Sequence, residues 1–184
     1  PGYVLSRHLS PPLSELAIGM MKRSQNLFAE IIFRTLGSQT GTGTVEASRN
    51  TIGTLLSTWA IGSDQFIIAD GSGLSRYNHL TPAALVTVLE QMRSGHQSAA
   101  FEATLPVAGR DGTLAGRMSG TAAAGNARAK TGTMSNVSAL AGLVDTEDGE
   151  TLVFAIMANN YRVSSNDINR IIDQAVEQLA NFTR

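Results

Sequence analysis

Cysteine is absent from the 184-residue chain, which removes disulfides, thiolate zinc sites and cysteine nucleophiles together. Aromatic residues make up 5%, too few for the stacking platforms that single-stranded nucleic acid needs. A formal net charge of -1 supplies no field toward nucleic acid or an anionic membrane surface. No apolar run approaches the roughly 18 residues of a membrane span. The three histidines, His8, His79 and His96, lack metal-ligand spacing and read as surface residues, so neither a metal nor a cofactor is expected. Lysine is almost missing too: Lys22 and Lys130 are the only two. There is no initiator Met and no charged-then-apolar leader before Pro1-Gly2-Tyr3, which predicts a processed, truncated or cloned segment.

What remains describes a globular chain: 42% hydrophobic and 16% charged residues suffice for one domain with its own core. Pro11 and Pro12 open a first helix carrying Leu13, Leu16, Ala17, Met20 and Met21 at helical spacing. After a break at Ser24, a second helix with Leu27, Phe28, Ile31 and Ile32 is expected to end at Gly37, followed by a Gly/Ser/Thr loop to Thr44. Residues 45–61 read as a third helix, and Phe66–Ala69 as a short buried strand. Thr81-Pro82 is an N-cap followed by a first-turn proline, and residues 98–119 read as short helical turns. Apolar runs at 137–144 and 151–158 flank Asp145–Glu150, a solvated turn that predicts a β-hairpin. A last helix, capped by Ser165 or Asn166, presents Ile168, Ile171, Ile172, Ala175, Val176 and Leu179 as one apolar stripe. The expected fold is α/β, with an antiparallel sheet of 127–133, 137–144 and 151–159 and that helix, about 165–181, buried on it.

Lys130-Thr131-Gly132-Thr133 lies just before the hairpin. On a strand, the hydroxyls of Thr131 and Thr133 can donate to a carboxylate, Lys130 adds positive charge, and Gly132 leaves room for a substrate backbone at the strand edge. Alone, the tetrapeptide reads first as a strand with a surface lysine and a glycine bulge, since K-T-G is common by chance. Ser24-Gln25-Asn26 sits at a helix joint, where serine can exchange a proton with a lysine and asparagine can hold an amide; alone, Ser24 reads as the cap of the second helix. In Asp70-Gly71-Ser72-Gly73-Leu74-Ser75-Arg76, two glycines permit tight turning, while Asp70 and Ser72 can bond their own loop amides. The loop is neither a nucleophile elbow nor a phosphate loop; it reads as scaffold, with Asp70 or Arg76 in an ion pair as the alternative.

Together the pieces say more. S-x-N at 24–26, D-G-S-G-L-S-R at 70–76, L-P-V-A-G-R-D-G-T-L at 105–114 and A-K-T-G-T at 129–133 resemble the D-alanyl-D-alanine carboxypeptidase/endopeptidase family of low-molecular-mass class C penicillin-binding proteins (peptidase family S13). The resemblance covers nearly the whole chain and implies a β-lactamase/transpeptidase-like fold. Its active sites combine S-x-x-K, S-x-N and K-T-G. No S-x-x-K is possible here, because the positions three before the lysines hold Gly19 and Ala127. One departure is Gln25, where the general pattern has Asp.

By resemblance, Ser24 relays protons to the leaving group, Asn26 holds the substrate amide, and Lys130 with Thr131 and Thr133 receives the terminal carboxylate. Gly132 completes the substrate-binding set, and the Thr133 amide enters the oxyanion hole. Asp70, Ser72 and Arg76 are assigned to a structural loop. The implied reaction is acyl transfer from peptidoglycan peptides ending in D-Ala-D-Ala, with β-lactams as further ligands and an extracytoplasmic location. Residues 1–184 are expected to be the C-terminal part of a penicillin-binding domain, incomplete without its N-terminal strands and nucleophile helix. Such a chain would be inactive alone and would either self-associate through the incomplete sheet or remain a marginally stable monomer. The alternative is a non-catalytic chain of the same fold that binds peptidoglycan peptides or a partner.

Overall fold

In the computed structural model, which describes residues 3–39 and 43–184, the hairpin is the centre of the architecture. Strands β3 (Arg128–Met134), β4 (Val137–Asp145) and β5 (Thr151–Asn159) form an antiparallel sheet in the order β3-β4-β5. Lys130 stands opposite Ala141, and Ala141 opposite Ala155. The β4–β5 turn works as expected: Thr146 Oγ1 accepts from Glu150 N–H at 2.9 Å, and Gly149 takes φ +83°, open to glycine without a Cβ clash.

Two helices sandwich the sheet region. Helix α6 (Ser165–Ala180) packs on β4, and α4 (Pro82–Ser94) packs on β5. The main core joins Leu140, Val144 and Phe154 of the sheet to Ile172, Val176 and Ala180 of α6, together with Ala108, Leu114 and Met118. Each large aliphatic side chain buried here stabilises the fold by about 1.5–3 kcal/mol. The N-terminal layer holds α1 (Leu13–Arg23), α2 (Asn26–Gln39) and α3 (Val45–Thr58), followed by a ribbon of β1 (Phe66–Ile67) and β2 (His79–Leu80). A short α5 (Ser98–Thr104) and a 3-10 turn at Gly112–Leu114 lead back to β3.

Several expectations need correction. Ser164, not Ser165 or Asn166, caps α6, accepting from Asp167 N–H at 3.2 Å. Ile171 does not join the buried stripe: it is 61% exposed, on the flank of α6, while Ile172 and Val176 face the sheet. Phe66–Ala69 is not a buried strand, since only two residues pair and Ile67 is 57% exposed. Helix α3 stops at Thr58 rather than 61, its end closed by Trp59 N–H on Leu56 O. Gly37 does not end α2, which continues to Gln39. It marks a close crossing instead: a Cβ there would stand 2.6 Å from both Ser48 Oγ and Thr44 O, at the start of α3. Of the loop expected from Gly37 to Thr44, residues 40–42 lie outside the described residues.

Candidate active site

Helix α1 ends at Ser24 in a left-handed conformation (φ 55°, ψ 53°), and Gln25 N–H reaches back to Met20 O at 2.9 Å. This turn closes α1 and lets α2 start at Asn26. Ser24 is therefore the C-cap of α1, not the expected cap of the second helix, and its hydroxyl is free to face across the molecule. There it accepts a hydrogen bond from Lys130 Nζ at 2.8 Å.

Lys130 projects from β3 and donates also to Thr131 O at 2.7 Å. Burial pushes its pKa below the ordinary lysine value, because desolvation disfavours the charged form. A lysine so placed gives up a proton more readily than a surface one.

Strand β3 is the sheet edge. Near its start it is covered by the 105–114 segment: Ala129 N–H donates to Pro106 O at 2.9 Å and Ala108 N–H to Ala127 O at 2.9 Å. Backbone direction alternates along a strand, so Thr131 and Thr133 share the outward edge of Ala129, turned away from β4. Gly132 stands between them without a side chain, and Thr133 is exposed. The Thr131 hydroxyl donates to Thr113 Oγ1 at 2.9 Å. An edge with outward amides, flanking hydroxyls and an adjacent ammonium can take up a peptide carboxylate or a developing oxyanion.

Asn26 is drawn to another neighbour. Its Nδ2 donates to Ser72 O at 2.7 Å, tying the S-x-N asparagine to the 70–76 loop. That loop is knotted on Asp70, whose carboxylate accepts from Ser72 Oγ (2.7 Å), Gly73 N–H (3.0 Å), Ser75 N–H (3.2 Å) and Asn78 Nδ2 (2.7 Å). Burial pushes the Asp70 pKa up, but these donors outweigh it and hold it below the usual value. Neither Asp70 nor Arg76 makes an ion pair among the described residues; Arg76 Nη2 instead reaches Ser135 O, past the end of β3, at 3.4 Å.

The structure thus joins Ser24 to Lys130 and places Thr131, Gly132 and Thr133 along the same edge, while Ser72 meets Asn26, Arg76 meets Ser135 and Asp70 holds its own loop together. Sequence reasoning missed two supports. Glu30 of α2 accepts from Gly71 N–H (2.8 Å) and Ser72 N–H (3.2 Å), pinning the loop that holds Asn26; its spacing from Arg34 signalled only a helical ion pair. Lys22 of α1 pairs with Asp111 at 2.7 Å, for which the D-G turn gave no signal.

Comparison with known proteins finds similarity along nearly the whole chain. The family model described as D-Ala-D-Ala carboxypeptidase 3 (S13) family matches residues 1–182. A D-alanyl-D-alanine carboxypeptidase of an Actinomadura species is 43% identical over 164 residues, covering 86% of this chain and 30% of that protein. The D-alanyl-D-alanine carboxypeptidase DacB of Haemophilus influenzae is 34% identical over 171 residues, 87% of this chain and 34% of the relative. The chain spans about a third of the length of these curated relatives. The crystal structure of penicillin-binding protein 4 from Haemophilus influenzae superposes with a TM-score of 0.86 at 29% identity, over 95% of this chain and 41% of that one. It has also been solved in complex with a β-lactam. A TLA-1 extended-spectrum β-lactamase shares the fold at 18% identity, with a TM-score of 0.68 over 91% of this chain and 63% of the other.

Proposed function

The chain belongs to the D-Ala-D-Ala carboxypeptidase 3 (S13) family, and from that membership we propose that it supplies the S-x-N and K-T-G parts of a serine-type D-Ala-D-Ala carboxypeptidase/endopeptidase site. Residues 1–184 then form the C-terminal part of a penicillin-binding domain in the cell envelope, outside the cytoplasm. The nucleophile is carried elsewhere in the full-length protein, because no S-x-x-K occurs in this sequence.

The reaction is acyl transfer. The nucleophilic serine oxygen bonds to the carbonyl carbon of the penultimate D-Ala while its hydroxyl proton passes to the lysine of S-x-x-K, outside these residues, and the peptide C–N bond breaks. The departing amine takes a proton from the Ser24 hydroxyl, which Lys130 replaces. Asn26 holds the substrate amide. Thr131 and Thr133 bind the terminal carboxylate beside Lys130, and the outward amide of Thr133 stabilises the oxyanion. Water then releases the acyl-enzyme. β-Lactams enter the same path, with ring opening in place of peptide cleavage.

One observation carries this reading: a serine hydroxyl and a partly desolvated lysine lie 2.8 Å apart across the helix–sheet junction, within the range for direct proton transfer. The test is incubation of the full-length protein and of the isolated chain with labelled penicillin, followed by peptide mass spectrometry. A single adduct on a serine outside these residues, with the isolated chain unlabelled, is expected. Stoichiometric labelling of Ser24, or of any serine of this chain, would overturn the assignment.

A further inference from the structure

The two lysines of the chain hold the two sides of one junction. Lys130 reaches from β3 to Ser24, and Lys22, two residues before Ser24 on the last turn of α1, reaches to Asp111. Asp111 sits in the segment that is stitched to β3. The Asp111 carboxylate accepts from Lys22 Nζ at 2.7 Å through one oxygen and from Val107 N–H at 2.9 Å through the other. Val107 in turn bridges to Arg128, its neighbour Pro106 accepts from Ala129, and Thr113 accepts from Thr131. One carboxylate therefore connects the helix end that carries Ser24 to the strand that carries Lys130.

The backbone repeats the same contact. Gly112 has φ +56°, and a Cβ on it would lie 2.7 Å from Lys22 O and 3.1 Å from Pro106 Cβ. The left-handed dihedral and the missing side chain together let this turn press on the end of α1. The ion pair spans 89 positions in the chain, is partly buried, and is less screened than a surface pair.

We propose that Asp111 is a positioning residue for proton transfer: through Lys22 on one side and Val107 on the other, it sets the gap between Ser24 Oγ and Lys130 Nζ. The proposal rests on the acyl-transfer reading given above. Asp111 touches neither reacting atoms nor substrate. Its effect is on the transfer distance, where a displacement of about 1 Å costs up to about a hundredfold in rate.

The test uses the full-length protein, with Asp111→Asn, Lys22→Met and the double variant. Asp111→Asn keeps an acceptor for Val107 N–H while removing the charge held by Lys22. Active sites are counted by titration with a fluorescent penicillin, so misfolded molecules drop out. Acylation rate constants and D-Ala release are then measured per site across pH.

Each single variant is expected to lower the per-site acylation rate and kcat by about ten- to a hundredfold with KM nearly unchanged. The double variant should fall no further than the worse single, because both remove one link, and the basic limb of the pH–rate profile should move with the loosened Ser24–Lys130 contact. Fewer titratable sites with unchanged per-site rates would assign the pair to stability alone and overturn the proposal. Additive losses would overturn the shared link. A wild-type protein that reacts with no penicillin would instead overturn the acyl-transfer reading on which the proposal rests.

Discussion

Ser24 Oγ and Lys130 Nζ stand 2.8 Å apart although 106 positions separate them in the chain. Helix α1 and strand β3 meet at this contact. In the full-length protein, Ser24→Ala and Lys130→Met are each expected to slow acylation per titrated site by about 10²–10⁴-fold. Residues acting as one relay lose their effect together, so the double variant should be no slower than the worse single. Stopped-flow penicillin acylation measures it; multiplying losses would show separate roles.

The titration of Lys130 has a definite sign. Its folded-state pKa lies below the ordinary lysine value because of burial, so the unfolded chain binds that proton more tightly. Between the two pKa values the unfolded state holds more protons, and stability rises with pH across that interval. Below the interval both states are protonated and the contribution is flat. Urea midpoints of wild type and Lys130→Met, compared through the alkaline range, should show this rise only in the wild type. A wild-type contribution that falls with pH would contradict the burial of a charged amine.

The N-terminal layer presents apolar side chains to solvent: Leu27 is 69% and Ile31 53% exposed, both on α2. Strand β5 is the outer strand of its sheet opposite β3. Exposed apolar patches and open strand edges favour association. The isolated chain is expected to sediment as an oligomer, and Leu27→Glu with Ile31→Glu to shift it toward monomer. A wild-type chain that stays monomeric at high concentration would count against the unpaired surface.

Gly71 tests the support of Asn26. A Cβ there would lie 2.2 Å from Phe33 Cβ, and Phe33 is buried. Gly71→Ala should lift the loop from α2 and weaken the Glu30 and Asn26 bonds, at about 1–3 kcal/mol by the usual cost of overpacking. Thermal unfolding gives the loss; an unchanged melting temperature would mean that the loop gives way freely.

The sheet and last helix were legible because their signals are local. Short apolar runs meet at a glycine turn in the hairpin, and Ile172 and Val176 fall on one helical face. Ile171 was misplaced because spacing does not tell the centre of an apolar stripe from its flank. Gly37 looked like a stop signal because glycine at a helix end and glycine at a helix crossing are identical in sequence. The K-T-G and S-x-N segments could be named, but their meeting could not be seen in spacing. The Lys22–Asp111 pair was invisible for the same reason, since it exists only once α1 and the 105–114 segment are folded against each other.

The left-handed backbone at Ser24 (φ 55°) separates two demands on one position. Glycine adopts this dihedral freely, and asparagine tolerates it better than most; a side chain with Cβ costs roughly 1–2 kcal/mol there. Ser24→Gly and Ser24→Ala both delete the hydroxyl, but only alanine keeps the conformational strain. The glycine variant should therefore be the more stable of the two and equally unable to relay a proton. On the proposed acyl-transfer reading, the serine at this corner is a compromise in which local backbone preference yields to the need for an oxygen atom.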